Sequence, residues 1–117
     1  MPRGASAARA KALEAVGWLA DDQGDIERAV AAAEEGLQIS ARTEIPNRVS
    51  ASFLRMLGSA AYVRGDHRQA TRLYQESLAL SREARDERSV ASSLLRLGNV
   101  SSDQGDYESA KEFYEEG

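Results

Sequence analysis

The chain holds a single histidine, His67, and no cysteine. A cysteine nucleophile, a disulfide framework and a thiolate zinc site are thereby excluded, and histidine-based metal sites or hydrolytic triads lack parts. Neither lysine, Lys11 nor Lys111, stands in the glycine framework of a phosphate-binding loop. Asp21, Asp22 and Asp25 lack the alternating ligands of a calcium loop and read as a solvated turn. Glu34-Glu35 and Glu112, Glu115 and Glu116 are placed on helical surfaces, with no basic or apolar seat to tune them for acid–base work. His67 follows Asp66 at a helix start and is expected on the outer face, in solvent. Arg64-Gly65-Asp66 spells an adhesion tripeptide but falls at a helix–turn–helix junction. The inventory predicts a non-enzyme with no catalytic residue, no metal and no cofactor.

The bulk properties narrow the remaining classes. A length of 117 residues makes one domain, expected to run over 1–117. Hydrophobic residues at 42% and charged residues at 29% are ordinary for a soluble globular chain. No apolar stretch approaches the ~20 residues that span a bilayer, so no membrane partner is expected. The net charge of −4, from 15 Lys+Arg against 19 Asp+Glu, argues against direct nucleic-acid binding. Arg9, Lys11 and Glu14 break the apolar core that a secretory signal needs. The start therefore reads as a helix beginning near Ala5 and the protein as cytoplasmic, with an Arg/Ala-rich transit peptide as the lesser alternative.

Internal repetition dictates the elements that position any site. Gly24-Asp25, Gly65-Asp66 and Gly105-Asp106 recur at spacings of 41 and 40. Seven residues before each pair stand Gly17, Gly58 and Gly98; four before those stand Leu13, Leu54 and Leu94. Ala29, Ala70 and Ala110 follow each pair, then Ala33, Tyr74 and Tyr114. A fixed period in this range means units that bury their apolar faces against one another. Within a unit, Ala51, Leu54, Leu57 and Ala61 trace one helical face, Gly65 tolerates the positive φ that ends it, and Asp66 can cap the next helix. Ala70, Leu73, Tyr74, Ser77 and Leu78 form the following stripe. No alternating β-branched run exists, so strands are not predicted. Thr43–Asn47 and Arg85–Glu87 carry the turns between units, with Pro46 and Asp86 opening helices. An all-α chain of three antiparallel helix pairs results, its units at about 5–43, 46–85 and 86–117, the last incomplete.

The pattern Leu-x2-[Leu/Val]-Gly-x6-Gly-Asp-x4-Ala-x3-Tyr on paired helices resembles the tetratricopeptide repeat over nearly the whole chain. The resemblance implies an α-solenoid wound as a right-handed superhelix. Gly17, Gly58 and Gly98 fall where two helices pack closely, and Ala29, Ala70 and Ala110 where the second helix crosses the first. Tyr74 and Tyr114 fill between units, with Ala33 departing from the pattern. Leu13, Leu54 and Leu94 replace the family's tryptophan. The period exceeds the usual 34 residues of the repeat. In this the chain is similar to the long repeats of maltose-regulator-like bacterial ATP-binding transcription regulators, of kinesin light chains and of G-protein-signalling adaptors. Arginine outnumbers lysine 13 to 2, a lean toward a GC-rich bacterial gene.

The first helix of each unit lines the concave face in such a solenoid, and the family's inward positions carry over to named residues here. They are Lys11, Glu14, Trp18 and Asp21 in the first unit, Ser52, Arg55, Ser59 and Tyr62 in the second, and Ser92, Leu95, Asn99 and Ser102 in the third. The resemblance implies a protein or peptide partner held in this groove, with an acidic or polar contact near Arg55. Trp, Tyr and Arg are the types that most often anchor interfaces, so Trp18, Arg55 and Tyr62 lead the set. The family's carboxylate clamp would need basic and amide groups at Glu14, Trp18, Met56, Ser92 and Arg96. Only Arg96 fits, which disfavours a chaperone-tail clamp. Asn99 lies where long-period adaptors place a backbone-binding amide. Alternatives that stay open are a small-ligand sensor segment of a larger signalling or transcription regulator, and a self-assembling scaffold. Gly117 follows Glu116 directly, whereas the second helices of units one and two run on through Leu37-Gln38-Ile39 and Leu78-Ala79-Leu80. A truncated last helix and a fragment of a longer array are therefore expected. Apolar faces around Leu97, Phe113 and Tyr114 would then favour self-association, and a homo-oligomer through the uncapped C-terminal end is one outcome open to such a chain.

Overall fold

The computed structural model describes residues 3–117, with side chains from residue 6 onward. Among these residues six helices follow one another: α1 (Arg3–Asp22), α2 (Ile26–Arg42), α3 (Asn47–Val63), α4 (His67–Glu83), α5 (Glu87–Asp103) and α6 (Tyr107–Glu116). No strand occurs among them. The first helix is already formed at Arg3, two residues before the expected start. Met1 and Pro2, at the head of the leader question, lie outside the described residues.

One turn geometry is used four times. At the end of α3, Gly65 N–H donates to the Tyr62 carbonyl (3.0 Å) and Asp66 N–H to the Ala61 carbonyl (2.9 Å), the paired bonds of a Schellman motif. Gly65 takes φ +84° to make this possible. Asp66 then begins α4, its carboxylate accepting from Gln69 N–H at 3.1 Å. Gly24-Asp25 and Gly105-Asp106 repeat the arrangement, with Arg28 N–H and Ser109 N–H as the capped donors. The junction between α4 and α5 does the same without glycine: Arg85 sits at φ +55° and Asp86 caps α5. A left-handed residue other than glycine costs of order 1 kcal/mol, which Asp86 offsets by bonding both Ser89 N–H (3.4 Å) and Ser89 Oγ–H (2.7 Å). Only the α2–α3 connection differs. Thr43 is extended there, and Pro46 opens α3 with no side-chain cap.

Each helix packs against the next in sequence, and α1 also touches α3, as α3 touches α5. The second helices make no such contacts with one another. First helices that touch in series, backed by second helices that do not, form the inner layer of a bent row. The molecule is elongated accordingly, with principal extents of 47, 29 and 20 Å.

Two apolar clusters fill the row. One gathers Ala10, Ala33, Ile45, Val49, Phe53 and Met56 beneath α1 and α2. The other gathers Leu54, Leu73, Tyr74, Leu78, Leu94, Leu97 and Val100 among α3, α4 and α5. Fully burying a side chain such as Phe53 contributes roughly 1.5–3 kcal/mol. Leu97 belongs to this second cluster at 1% exposure. The expectation that it helps form an open apolar face is therefore corrected: it lies inside this cluster. Phe113 is half-buried on the same cluster, and Tyr114 is exposed.

Candidate functional site

The inner layer displays one cluster of recognition chemistry. Trp18 of α1, half-buried, packs its indole on the Phe53–Met56 cluster. Over its ring lie two guanidinium groups: Arg55 of α3 with Cζ 5.5 Å from the centroid, and Arg96 of α5 at 5.8 Å. Arg96 also reaches Tyr74, at 6.0 Å, and its Nε–H donates to Ser92 Oγ at 3.4 Å. Stacking of this kind suits arginine, whose planar group is weakly hydrated and keeps its hydrogen-bonding edge free.

Ser52 and Arg55 were expected as groove lining open to solvent, and they are not. They are 3% and 6% exposed, because α3 is flanked by α1 and α5 and Trp18 covers the guanidinium. Ser52 Oγ–H donates to the Arg48 carbonyl (3.3 Å) and accepts from Arg55 Nη2–H (3.4 Å). Arg55 Nε and Nη1 are buried and have no hydrogen-bond partner. Burial lowers the Arg55 pKa, the nearby Arg96 charge lowers it further, and the more distant Asp86 and Glu14 carboxylates act the other way.

Beside the cluster, Ser59 Oγ–H donates to Asp21 Oδ1 at 3.3 Å. The Tyr74 phenol reaches the same spot from behind. Its pKa is raised, chiefly by burial, against a partial opposing pull from the Arg96 charge. Farther along, Tyr62 OH donates to Asp103, and this bond is the main cause of its raised pKa. Asn99 Oδ1 accepts from Tyr114 OH at 2.6 Å, so the oxygen of this amide is already engaged within the chain. Lys11 and Leu95 are exposed, and Glu14 and Ser102 are half-buried.

The structure thus brings Trp18, Ser52 and Arg55 into one group, joins Asp21 to Ser59, and leaves Lys11 and Asn99 apart from both. Arg96, Tyr74 and Asp103 are the residues that sequence reasoning did not put in the site. Asp103 lies one helical turn beyond Asn99, a spacing that could have flagged it. Nothing in the repeat pattern signals that Tyr74 presents its hydroxyl inward.

Two surface expectations also change. His67 is half-buried, not free in solvent, and meets the Tyr62 ring edge-on at 5.8 Å and 89°. Three of the five glutamates placed on helical surfaces have basic partners: Glu35 pairs with Arg9, Glu116 with Arg82, and Glu115 with Lys111 at 3.9 Å. All three pairs are well exposed, where such bridges contribute little. No cluster of three or more metal-ligating side chains occurs among the described residues. No helix among them is long and apolar enough to cross a membrane.

Comparison with known proteins agrees with this architecture. A sequence profile described as tetratricopeptide repeat matches residues 49–117, and a second of the same description matches residues 10–43. No curated protein matches the chain. The crystal structure of the TPR domain of Arabidopsis FLU is similar, with a TM-score of 0.81 and 18% identity over 97% of this chain and 92% of that one. At that identity the likeness is one of fold: helices in sequential antiparallel pairs.

Proposed function

The chain belongs to the tetratricopeptide repeat family, and we propose that it serves as a non-catalytic module that holds a peptide or protein partner along its inner face. Domains of this family are generally interaction modules and typically non-catalytic. The observation that carries the reading is the stacked group of Trp18, Arg55 and Arg96 in the inner layer, with Tyr62 farther along the same face. Indole, guanidinium and phenol side chains supply most of the energy of protein interfaces. The remaining inner positions, from Lys11 and Glu14 to Ser92 and Asn99, are proposed as the polar rim. The repeat units are proposed at 5–43, 46–85 and 86–117 of one domain.

The setting we propose is a cytoplasmic signalling or transcription regulator of bacterial type. Its support is the 40-residue spacing of the glycine–aspartate pairs and the 13-to-2 excess of arginine over lysine.

The test is affinity capture from a lysate with the chain and with a Trp18→Ala/Arg55→Ala/Tyr62→Ala form whose helical circular dichroism is intact. Each lost anchor is worth about 2 kcal/mol or more, so the triple substitution should abolish capture of any groove partner. Equal capture by both would refute the inner-face site. Concentration-dependent mass with nothing captured would favour a self-assembling scaffold.

A further inference from the structure

Arg55 carries a formal charge at 6% exposure, and neither its Nε–H nor its Nη1–H has an acceptor. Its single hydrogen bond is the long one from Nη2 to Ser52. The two carboxylates that act on it through space do not bond it, and Asp86 is already engaged by Ser89. Arg96, the second guanidinium over the indole, has no ion pair among the described residues either. A buried, unpaired guanidinium destabilises the free protein, and an arriving acceptor recovers that energy. We propose that Arg55, Arg96 and Trp18 form a receptor for the carboxylate of an acidic side chain on the bound polypeptide. The proposal rests on the inner-face reading above and adds the chemistry of the contact.

Access to Arg55 requires the indole to turn aside. It is half-buried, covers Arg55 and lies between solvent and the idle donors. When it turns aside, the idle Nε–H and Nη1–H are exposed on two different edges of the guanidinium, each able to donate one bond. A carboxylate accepts a charge-assisted bond from either donor, and Arg96 supplies a second positive charge. The chain as a whole is acidic, at −4, so an acidic partner is attracted here and repelled by most of the remaining surface. Register along the groove follows from that contrast.

Trp18 is the only tryptophan, so its fluorescence reads the site directly. The probes are a capped Ala/Leu peptide with a central Glu, its central-Gln counterpart, and glutarate, all at matched chloride concentration. The Glu peptide should shift Trp18 emission and bind at least about tenfold more tightly than the Gln peptide. In Arg55→Met the preference should fall below about twofold, while the unliganded melting midpoint rises by about 5 °C, since an unpaired charge has been replaced by an apolar group of similar size. A structural arginine would give a lower midpoint, and that result overturns the proposal. Arg96→Gln, which leaves the core intact, should weaken the preference about fivefold and guards against misfolding of the first variant. Equal binding of both peptides would retain the inner-face groove and overturn the acid receptor. Glutarate binding without peptide preference would overturn the polypeptide as source. Silence from the Glu peptide and glutarate alike would overturn the receptor, leaving capture from lysate to judge the groove.

Discussion

Where α1 crosses α2, the space beside Gly17 is filled from the next unit: a Cβ there would lie 2.4 Å from Met56 Sδ. Where α3 crosses α4, the space beside Gly58 is filled from within the unit, a Cβ lying 2.5 Å from the Tyr74 ring. Ala33 stands at the position of Tyr74 and is too short to reach its own glycine. Gly36, nearby on α2, instead lets the Phe53 ring lie against the backbone, where a Cβ would come within 2.3 Å. The first hairpin therefore borrows both of its large filling groups from α3, and the second supplies its own. Repeat stability is then unevenly shared between intrinsic and interface contributions. The third hairpin resembles the second in geometry, with Gly98 under Tyr114, but Tyr74 is 1% exposed and Tyr114 is 43% exposed.

The largest effect should come from removing what the first hairpin borrows. Phe53→Ala should lower stability by about 4 kcal/mol in urea unfolding, and hydrogen exchange should show α1 and α2 losing protection first. Tyr74→Ala should cost a similar amount but loosen α3, α4 and α5. Uniform loss of protection in both would break the comparison. A glycine series sharpens it. Gly58→Ala meets a ring with nowhere to go and should cost about 2 kcal/mol, whereas Gly17→Ala meets a flexible thioether and should cost about 1 kcal/mol. Gly98→Ala meets a ring that can swing into solvent, and the helix propensity of alanine should bring the change to within about 0.5 kcal/mol of zero. Equal costs at all three would show that the covering of the aromatic does not matter.

A further effect concerns the caps. Asp86→Ala should cost about 1 kcal/mol by thermal melting. Hydrogen bonds from Ser89 hold the Asp86 carboxyl below its ordinary value of 3.8. A depressed carboxyl stabilises the fold above its unfolded pKa, and that contribution disappears as pH falls through the folded value. The gap between wild type and Asp86→Ala should therefore be full near neutrality and narrow below the ordinary aspartate range. A gap that widens in acid would contradict the assignment.

Helix count, pairing and turns were legible because they depend on local rules: glycine at positive φ, aspartate at the N-cap, apolar residues on one face. Close approach at Gly58 and Gly98 was implied by the family resemblance. What the period could not reveal is where long side chains go. The family resemblance placed Arg55 on the inner face but not beneath Trp18. It allowed Arg96 a clamp position without indicating that it spans an indole and a phenol. The substitution of Met56 and Phe53 for a missing aromatic at Ala33 crosses between units, so no position within one unit announces it. His67 was misjudged because its neighbour Tyr62 lies on the preceding helix, across the turn. In each case the missing information is a rotamer and a tertiary neighbour, not a propensity.

The Schellman turns carry a consequence for how such arrays change length. The caps Asp66, Asp86 and Asp106 fall 20 residues apart, and the turns inside the second and third units are built like the turn that joins them. Gene duplication or loss of a single helix with its turn would therefore splice without a visible seam. Every helix downstream would nevertheless exchange layers, sending groove residues outward and outer residues inward. Only events that copy or remove helices in twos conserve parity, so the turns make lengthening easy and the two layers make half of those lengthenings unreadable.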